Sequence, residues 1–459
     1  MTKQKGTITP ALLVITGAFL VVIYGLLFLL TMQLEHSQRQ LGSEVALNIA
    51  EAGVEYYRWH LLEDPDDFQD GTGGNGPYTH PYTDLSQGAT GSFSLEITPN
   101  IDHSIIAIRS TGQTDNFPNV TRTIKAVYGR TPLTRYSFFH NSPIWFGNEV
   151  TLDGPVFSNG PIRMDGVNTS TVQSAVETYI CGMETGCQTP TEKPGIWGNG
   201  GPQSLWQFPV PYADFENISV DFSAMKISAQ STGLYLGPSG KQGYHLVFKE
   251  NGDFDVYEVT NTNSFKGYSE ENGCENLFED IKNENLIGTY SVTGLDIIFV
   301  EDTAWVDGTL NGQTTVVTAR FPIDTNNADI LINNNIVYLD KSGDHKLGLI
   351  AQRDIRIGKD VPEVFEIDAA LLTQKGRVIR YHYNWQKCKN TGDGQRQQIT
   401  IYGSIISNLR SYWNFSGGPG VPASGFIHTY ITYDPNLYDE PPEYFPNYGA
   451  FELLSWSEE

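Results

Sequence analysis

Pro10–Thr31, PALLVITGAFLVVIYGLLFLLT, runs for 22 residues without a charge. As a helix rising about 1.5 Å per residue it would extend about 33 Å, enough to cross a bilayer core of about 30 Å. A secretory signal has a shorter apolar core, of about 7–15 residues, and then a small-residue cleavage site. This stretch ends instead in Leu26-Leu27-Phe28-Leu29-Leu30, so a retained anchor is expected. Lys3 and Lys5 precede it, which by the positive-inside rule keeps the N-terminus cytoplasmic and the bulk of the chain extracytoplasmic. The competing assignment, a buried core helix, is disfavoured by the length of the apolar run.

The helix is expected to continue past the membrane. From Gln33 to Leu62 there is no proline, and glycine stands only at Gly42 and Gly53. Leu34, Leu41, Val45, Ile49, Ala52, Tyr56 and Trp59 recur at steps of three, four and seven, one face of a helix. Residues 7–62 are therefore predicted to form one helix, half apolar and half amphipathic. Glu63-Asp64-Pro65-Asp66-Asp67 closes it, because proline cannot continue a helix. Over residues 63–130 a Gly-, Pro- and Tyr-rich loop gives way to alternation at Phe93, Leu95 and Ile97, then at Ile106 and Ile108, then at Val120, Ile124 and Val127. That period predicts short antiparallel strands whose apolar face would be buried by the helix.

Beyond Arg130 the texture is β. In residues 131–167, Val150, Val156 and Ile162 are six apart, and so are Gly154, Gly160 and Gly166, within the turn dipeptides Asp153-Gly154, Asn159-Gly160 and Asp165-Gly166. Strands this short suit successive sides of a β-solenoid coil; an ordinary β-meander is the alternative. Apolar pieces centred near Val316, Ile336, Ile355, Leu371 and Ile405 repeat the texture over residues 301–459. Residues 168–300, between the two, have the composition of a mixed β insertion or side domain. The expected fold class is α+β: a long N-terminal transmembrane and amphipathic helix with a small antiparallel sheet, followed by a large, mostly-β, solenoid-like region.

Composition narrows the function. The 459 residues carry 29 Lys and Arg against 53 Asp and Glu, a net charge of −24. Nucleic acid and anionic headgroups both call for a basic face, so neither is an expected partner. Four cysteines are present, Cys181, Cys187, Cys274 and Cys388. In an oxidising compartment an even count points to disulfides. Cys181 with Cys187 is the local candidate pair, and Cys274 with Cys388 is what it would leave; three connectivities exist, and the spacing does not choose among them.

No catalytic signature stands out. Gly237-Pro238-Ser239-Gly240-Lys241 looks like a phosphate loop but has Tyr235 and Gln242 where that motif needs Gly and Ser or Thr. Asp324, Asn326 and Asp329 gather hard oxygens in one loop, the ligand type of calcium; without EF-hand spacing, the alternative is an Asx-rich turn. No other cofactor is expected. Asp64, Asp66, Asp67 and Asp70 suit a solvated helix end. The tail from Tyr430 to Phe451, rich in Tyr, Pro and acids, would either stack on sugars or pack along the β region and cap it.

The short basic leader Met1–Gly6, the apolar helix and Ala46-Leu47-Asn48-Ile49-Ala50-Glu51-Ala52-Gly53-Val54-Glu55 resemble type IV pilus assembly proteins of the PilX N-terminal type, a minor-pilin-like group. Trp305–Gly312, Leu347–Ala351, Ile367–Leu371 and Tyr433–Leu437, with Pro441-Pro442 and Trp456, look like the uncharacterised β-rich C-terminal regions attached to such proteins. The resemblance implies cleavage by a prepilin peptidase between Gly6 and Thr7. It also implies packing on other pilin subunits through Leu34, Leu41, Val45, Ile49 and Ala52. Major pilins carry Glu five residues into the mature chain, to neutralise a neighbour's amine in the apolar filament core. Here that position is Ala11, as in K-type minor pseudopilins, which implies a tip or priming subunit.

The leading expectation is thus a non-enzymatic, minor-pilin-like subunit, anchored in the bilayer and presenting its β region outward for initiation or adhesion to a surface ligand or glycan. One rival is a membrane-anchored β-helix enzyme acting on polysaccharide, with Arg353, Asp354, Arg356 and Lys359 as its charged candidates. The other is a surface protein that never polymerises.

Overall fold

The computed structural model describes residues 8–84, 88–100, 105–213, 215, 220–383, 388, 394–416 and 422–459. Gly6 and Thr7 lie outside them. The chain divides into two compact units, one of residues 1–130 with 450–459 and one of residues 131–449.

In the first unit, helix α1 (Ile8–Glu63) is one uninterrupted helix of 56 residues that stops two residues short of Pro65. It is long and apolar enough to cross a membrane, and none of its most apolar window is buried. Its second half packs on an antiparallel sheet of β1 (Tyr78–Asp84), β2 (Gly88–Pro99), β3 (Ile105–Thr114) and β4 (Thr121–Pro132). The final strand, Asn447–Glu458, adds to this sheet beside β4. The end of the chain therefore leaves the C-terminal β region to which its sequence assigns it.

The face of α1 that is buried is not the predicted stripe. Ala46, Ile49, Ala50, Val54, Tyr57 and Leu61 pack against Phe93, Leu95, Ile106, Ile108, Ile124, Ala126 and Tyr128. Leu34 and Leu41 are 63% and 62% exposed; Val45, Ala52 and Tyr56 are half-buried, and Trp59 is exposed. Ile49 alone of the predicted residues belongs to the core. The buried face uses Ala and Gly because helix and sheet approach closely. A Cβ on Gly53 would stand 2.8 Å from Phe93 Cδ2, and one on Gly112 of β3 would collide with the Ala46 carbonyl. A stripe drawn from large apolar side chains misses such a contact.

The second unit is built from parallel strand ladders. One joins Leu234–Leu236, Ile297–Val300, Gln313–Thr318, Lys346–Ala351, Val364–Thr373 and Gln395–Ser407, and continues into Phe138–His140, Val156–Ser158, Val172–Ser174 and Trp206–Gln207. A second runs through Gly243–Phe248, Ala304–Leu310, Ile336–Tyr338, the N-terminal parts of Val364–Thr373 and Gln395–Ser407, Pro422–Tyr433, Val150–Asp153 and Val167–Asn168. Shorter parallel sets flank them: Ile330–Ile332 with Ile355–Ile357 and Val378–Ile379, and Ile144–Phe146 with Ile162–Met164 and Ile196–Trp197.

The six-residue spacing has a physical origin here. Val150, Val156 and Ile162 each enter a different strand set, and all three are buried. Phe138 pairs with Val156, and Ile144 with Ile162. Between them the glycines take corners: Gly154 has φ +117°, and a Cβ on Gly160 would press on the Ser142–Pro143 backbone. Val316, Ile336, Ile355, Leu371 and Ile405 are likewise fully buried. Residues 168–300, expected as an insertion, supply ladder strands at both ends. What projects from them is the hairpin Thr178–Cys181/Thr191–Pro194 and the long hairpin Asp253–Ser269/Gly273–Ser291.

A second apolar layer covers the outside of the first ladder. Phe139, Phe157, Phe299, Val317, Ile350 and Leu372 face helix α2 (Phe222–Ser231) together with Leu437 and Phe445 of the tail. The Tyr136 and Tyr448 hydroxyls meet at 2.9 Å, so the tail aromatics lie along the ladders.

Two expectations follow. Gly53→Leu should destabilise the first unit by about 1–3 kcal/mol through overpacking, read as a lowered denaturant midpoint. His140 is fully buried, stacked on Phe138 at 4.0 Å and paired with Ser411 Oγ at 2.9 Å. Burial pulls its pKa from 6.5 to about 3, so between those values the unfolded chain binds a proton that the folded chain refuses. Its contribution is complete above the unfolded pKa and is lost as pH falls towards the folded one. Urea midpoints should drop with acidification through this window, and less steeply in His140→Gln.

Candidate functional site

The first candidate surface is the bare half of α1. Leu12, Val14, Phe19, Val21, Tyr24, Phe28 and Leu30 are each more than half exposed. Leu34 and Leu41 extend this apolar surface towards the half packed on the sheet. At about 25 cal/mol per Å² of apolar area, such a surface is costly in water, and the helix is long and apolar enough to cross a membrane.

The second is a cleft of about 550 Å³ in the β unit, lined by Trp145, Glu149, Arg163, Asp165, Arg410 and Tyr412 among others. One wall is preorganised. The Arg163 guanidinium lies between the rings of Trp145 and Trp197, at 4.1 and 4.8 Å. Its Nε donates to Asp165 Oδ2 at 2.7 Å, and Trp145 Nε1 donates to the same oxygen at 2.9 Å. Arg163 Nη1 donates to the Thr185 carbonyl at 3.0 Å, inside the loop closed by the Cys181–Cys187 disulfide. On another wall Arg410 pairs with Glu270 at 3.2 Å, and Asn414 Nδ2 donates to Glu149 Oε1 at 3.2 Å. Aromatic edges, two guanidiniums and three carboxylates suit contact with a polar, hydrogen-bonding partner.

The charged residues of the enzyme rival are held in an ion network. Arg353 Nε donates to Asp329 Oδ1 at 2.8 Å, and Arg356 Nε stands 3.3 Å from Asp329 Oδ2. Arg356 Nη1 also reaches Glu279 Oε1, on the long hairpin, at 3.5 Å. Burial pushes Asp329 up, but Arg356 and Arg353 outweigh it and hold its carboxyl below the usual range. Burial and the Asp329 charge push Asp354 up. Burial also raises Glu279, against the pull of Arg356. Lys359 sits over the Phe265 ring at 5.6 Å and 3.6 Å from Asp360.

The three calcium candidates have separate surroundings. Asp329 is buried against two arginines, Asp324 is exposed, and Asn326 Nδ2 donates to the Pro322 carbonyl at 3.2 Å. Among the described residues no group of three or more His, Cys, Asp or Glu could hold a metal. The acids after α1 are also engaged: Asp67 pairs with His60 at 3.0 Å and Asp70 with His80 at 2.6 Å. In the phosphate-loop lookalike, the Ser239 amide and hydroxyl both donate to Asp302 Oδ2, at 3.0 and 2.6 Å. A carboxylate thus takes the donors that a phosphate would need.

Cys274 is bonded to Cys388, with a Cα–Cα distance of 5.7 Å. This ties the turn end of the long hairpin to Cys388; near the same turn Tyr268 and His382 form a bridge, and Tyr412 Oη donates to Glu271 at 2.7 Å. Hydropathy does not reveal this anchoring of the hairpin across the ladders; the only signal was the leftover cysteine pair.

No protein-family model, curated protein or solved structure matches the chain. Its residues and geometry alone carry the functional argument.

The Cys274–Cys388 bond closes a loop across a sequence separation of 114. The double variant Cys274→Ser/Cys388→Ser should lose about 2–5 kcal/mol of stability, seen as a lower melting temperature. Protease cutting should then begin within the long hairpin.

Proposed function

We propose that this chain is a non-enzymatic, minor-pilin-like subunit of a type IV pilus. In this reading α1 is anchored in the membrane with the N-terminus cytoplasmic, and it later lies among the helices of other pilin subunits. The observation that carries the reading is the division of α1 into a bare apolar half and a half packed through Ala46, Ala50 and Gly53 on its own antiparallel sheet. Lipid and sister helices are the two environments that cover such a half, and a prepilin-type protein meets both in turn. The motif Ala46–Glu55 gains a physical sense as well, since its small residues are those that let the sheet approach.

The β unit is read as a β-solenoid. Its support is the run of parallel ladders and the strand-to-strand recurrence of Val150, Val156 and Ile162. A body of this size suits the tip of a fibre better than its shaft, and Ala11 in place of Glu accords with a tip or priming role. The cleft walled by Trp145, Arg163 and Tyr412 is the surface proposed to meet an external partner in adhesion.

The test is the native N-terminus. Protein recovered from membranes or sheared fibres should begin at Thr7, with a methylated amine, and Gly6→Leu should leave the leader attached. A soluble polypeptide that starts near Gln33 would defeat the reading.

A further inference from the structure

The Trp145–Arg163 cleft opens where two short parallel sets fail to meet. One set runs from Ile330–Ile332 through Ile355–Ile357 to Val378–Ile379, and Tyr412 bridges Ile379 at its end. The other begins at Ile144–Phe146. The chain on either side is joined: Ile405–Ser407 pairs with Phe138–His140, and Thr429–Thr432 pairs with Val150–Asp153. Between those joins, among the described residues, no strand pairing links 410–414 with 144–149, and both segments line the cleft of about 550 Å³. That volume lies within the roughly 300–1,000 Å³ of ligand pockets.

The lining holds polar groups that the fold does not use. Asn148 and Asn199 are exposed, and among the described residues neither side-chain amide has a hydrogen-bond partner. Arg410 gives Nη1 to Glu270 Oε2 at 3.2 Å, which leaves its Nε and Nη2 and the other Glu270 oxygen unengaged. The Glu270 side chain is 49% exposed. Trp145 is 37% exposed although the Arg163 guanidinium covers one face of its ring at 4.1 Å; the exposed part is the side away from Arg163.

Free donors and free acceptors thus share one cleft beside an uncovered aromatic ring. A sugar hydroxyl both donates and accepts, and the C–H face of a pyranose is apolar enough to lie on an indole. An acidic sugar fits less well. Two arginines stand against the carboxylates of Glu149, Asp165 and Glu270 in the lining, and the chain carries −24 overall. A peptide added as a strand needs a backbone edge, and Ile144–Phe146 offers only three residues.

We propose that this cleft binds a short neutral oligosaccharide, with one ring on the open side of Trp145 and hydroxyl groups on Asn148, Asn199, Arg410 and Glu270. The proposal rests on the reading of the cleft as the surface that meets an external partner, and it names that partner's chemistry. It is separable from the pilin reading. A chain that does not begin at Thr7 would still bind sugar, and a cleft that binds none would leave the N-terminus test unaffected.

The test is ligand-observed NMR on the purified full chain, in a detergent without a sugar headgroup. The probes are maltotriose, cellotriose, mannotriose and chitotriose, with trigalacturonate as the acidic comparison. At least one neutral trisaccharide should bind with Kd on the order of 1 mM, typical of a few hydrogen bonds and one stacked ring. Asn148→Ala/Asn199→Ala should weaken it about tenfold, the worth of one or two neutral hydrogen bonds. Trp145→Ala should weaken the same sugar, and both variants should keep the parent circular dichroism spectrum. If Trp145→Ala fails to fold, the amide double variant decides alone. Binding of none of the neutral sugars at tens of millimolar overturns the proposal, and so does binding of trigalacturonate alone, the mark of a simple anion site. Binding undiminished in every variant that folds overturns it too.

Discussion

The β unit depends on two backbone pairings that join its early and late strands: Ile405, Ile406 and Ser407 lie parallel to Phe138, Phe139 and His140, and Thr429–Thr432 lie parallel to Val150–Asp153. Without them the strands of residues 138–207 and those of residues 234–433 would form two separate runs, each exposing unpaired edges. Edges of that kind recruit other strands. Joined, the two runs share one apolar interior that reaches from Leu246 and Ile298 through Leu371 and Ile401 to Val156 and Val172. The order of strands along the ladders is therefore not the order of the chain. The strand beside Ile405–Ser407 comes from the beginning of the unit.

Such long-range pairing is what sequence patterning conveys least. The local devices were legible. An uncharged run of 22 residues announced the helix, alternation at Phe93 and Ile106 announced the sheet, and the six-residue spacing announced short strands at successive corners. Each of these depends on neighbours in sequence. The partner of Phe138 lies more than 260 residues away, and no periodicity encodes it. The buried face of α1 was missed for another reason. Its closest approaches are made at Ala46, Ala50 and Gly53, chosen for what they lack. Leu34 and Leu41, which hydropathy favours, stay outside.

The charged residues show the same contrast. Asp329 reads in sequence as one acid in an Asx-rich loop, yet the fold brings Arg353 and Arg356 onto it, and Arg356 onto Glu279 of a hairpin drawn from far upstream. Buried ion pairs cost desolvation and often add little net stability. Their effect here is to fix where the hairpin sits, because a shifted register would strand several charges in an apolar setting. Of the Trp145–Arg163 wall, sequence conveys only the nearby Cys181 and Cys187, as a candidate pair.

The last strand carries a mechanical corollary. Because residues 450–459 rejoin the sheet that packs on α1, the backbone passes between the two units twice, after Arg130 and after Gly449. A tug on the larger unit is shared between a covalent tether and a strand that must be peeled from β4 hydrogen bond by hydrogen bond. A single nick at either crossing would not set that unit adrift.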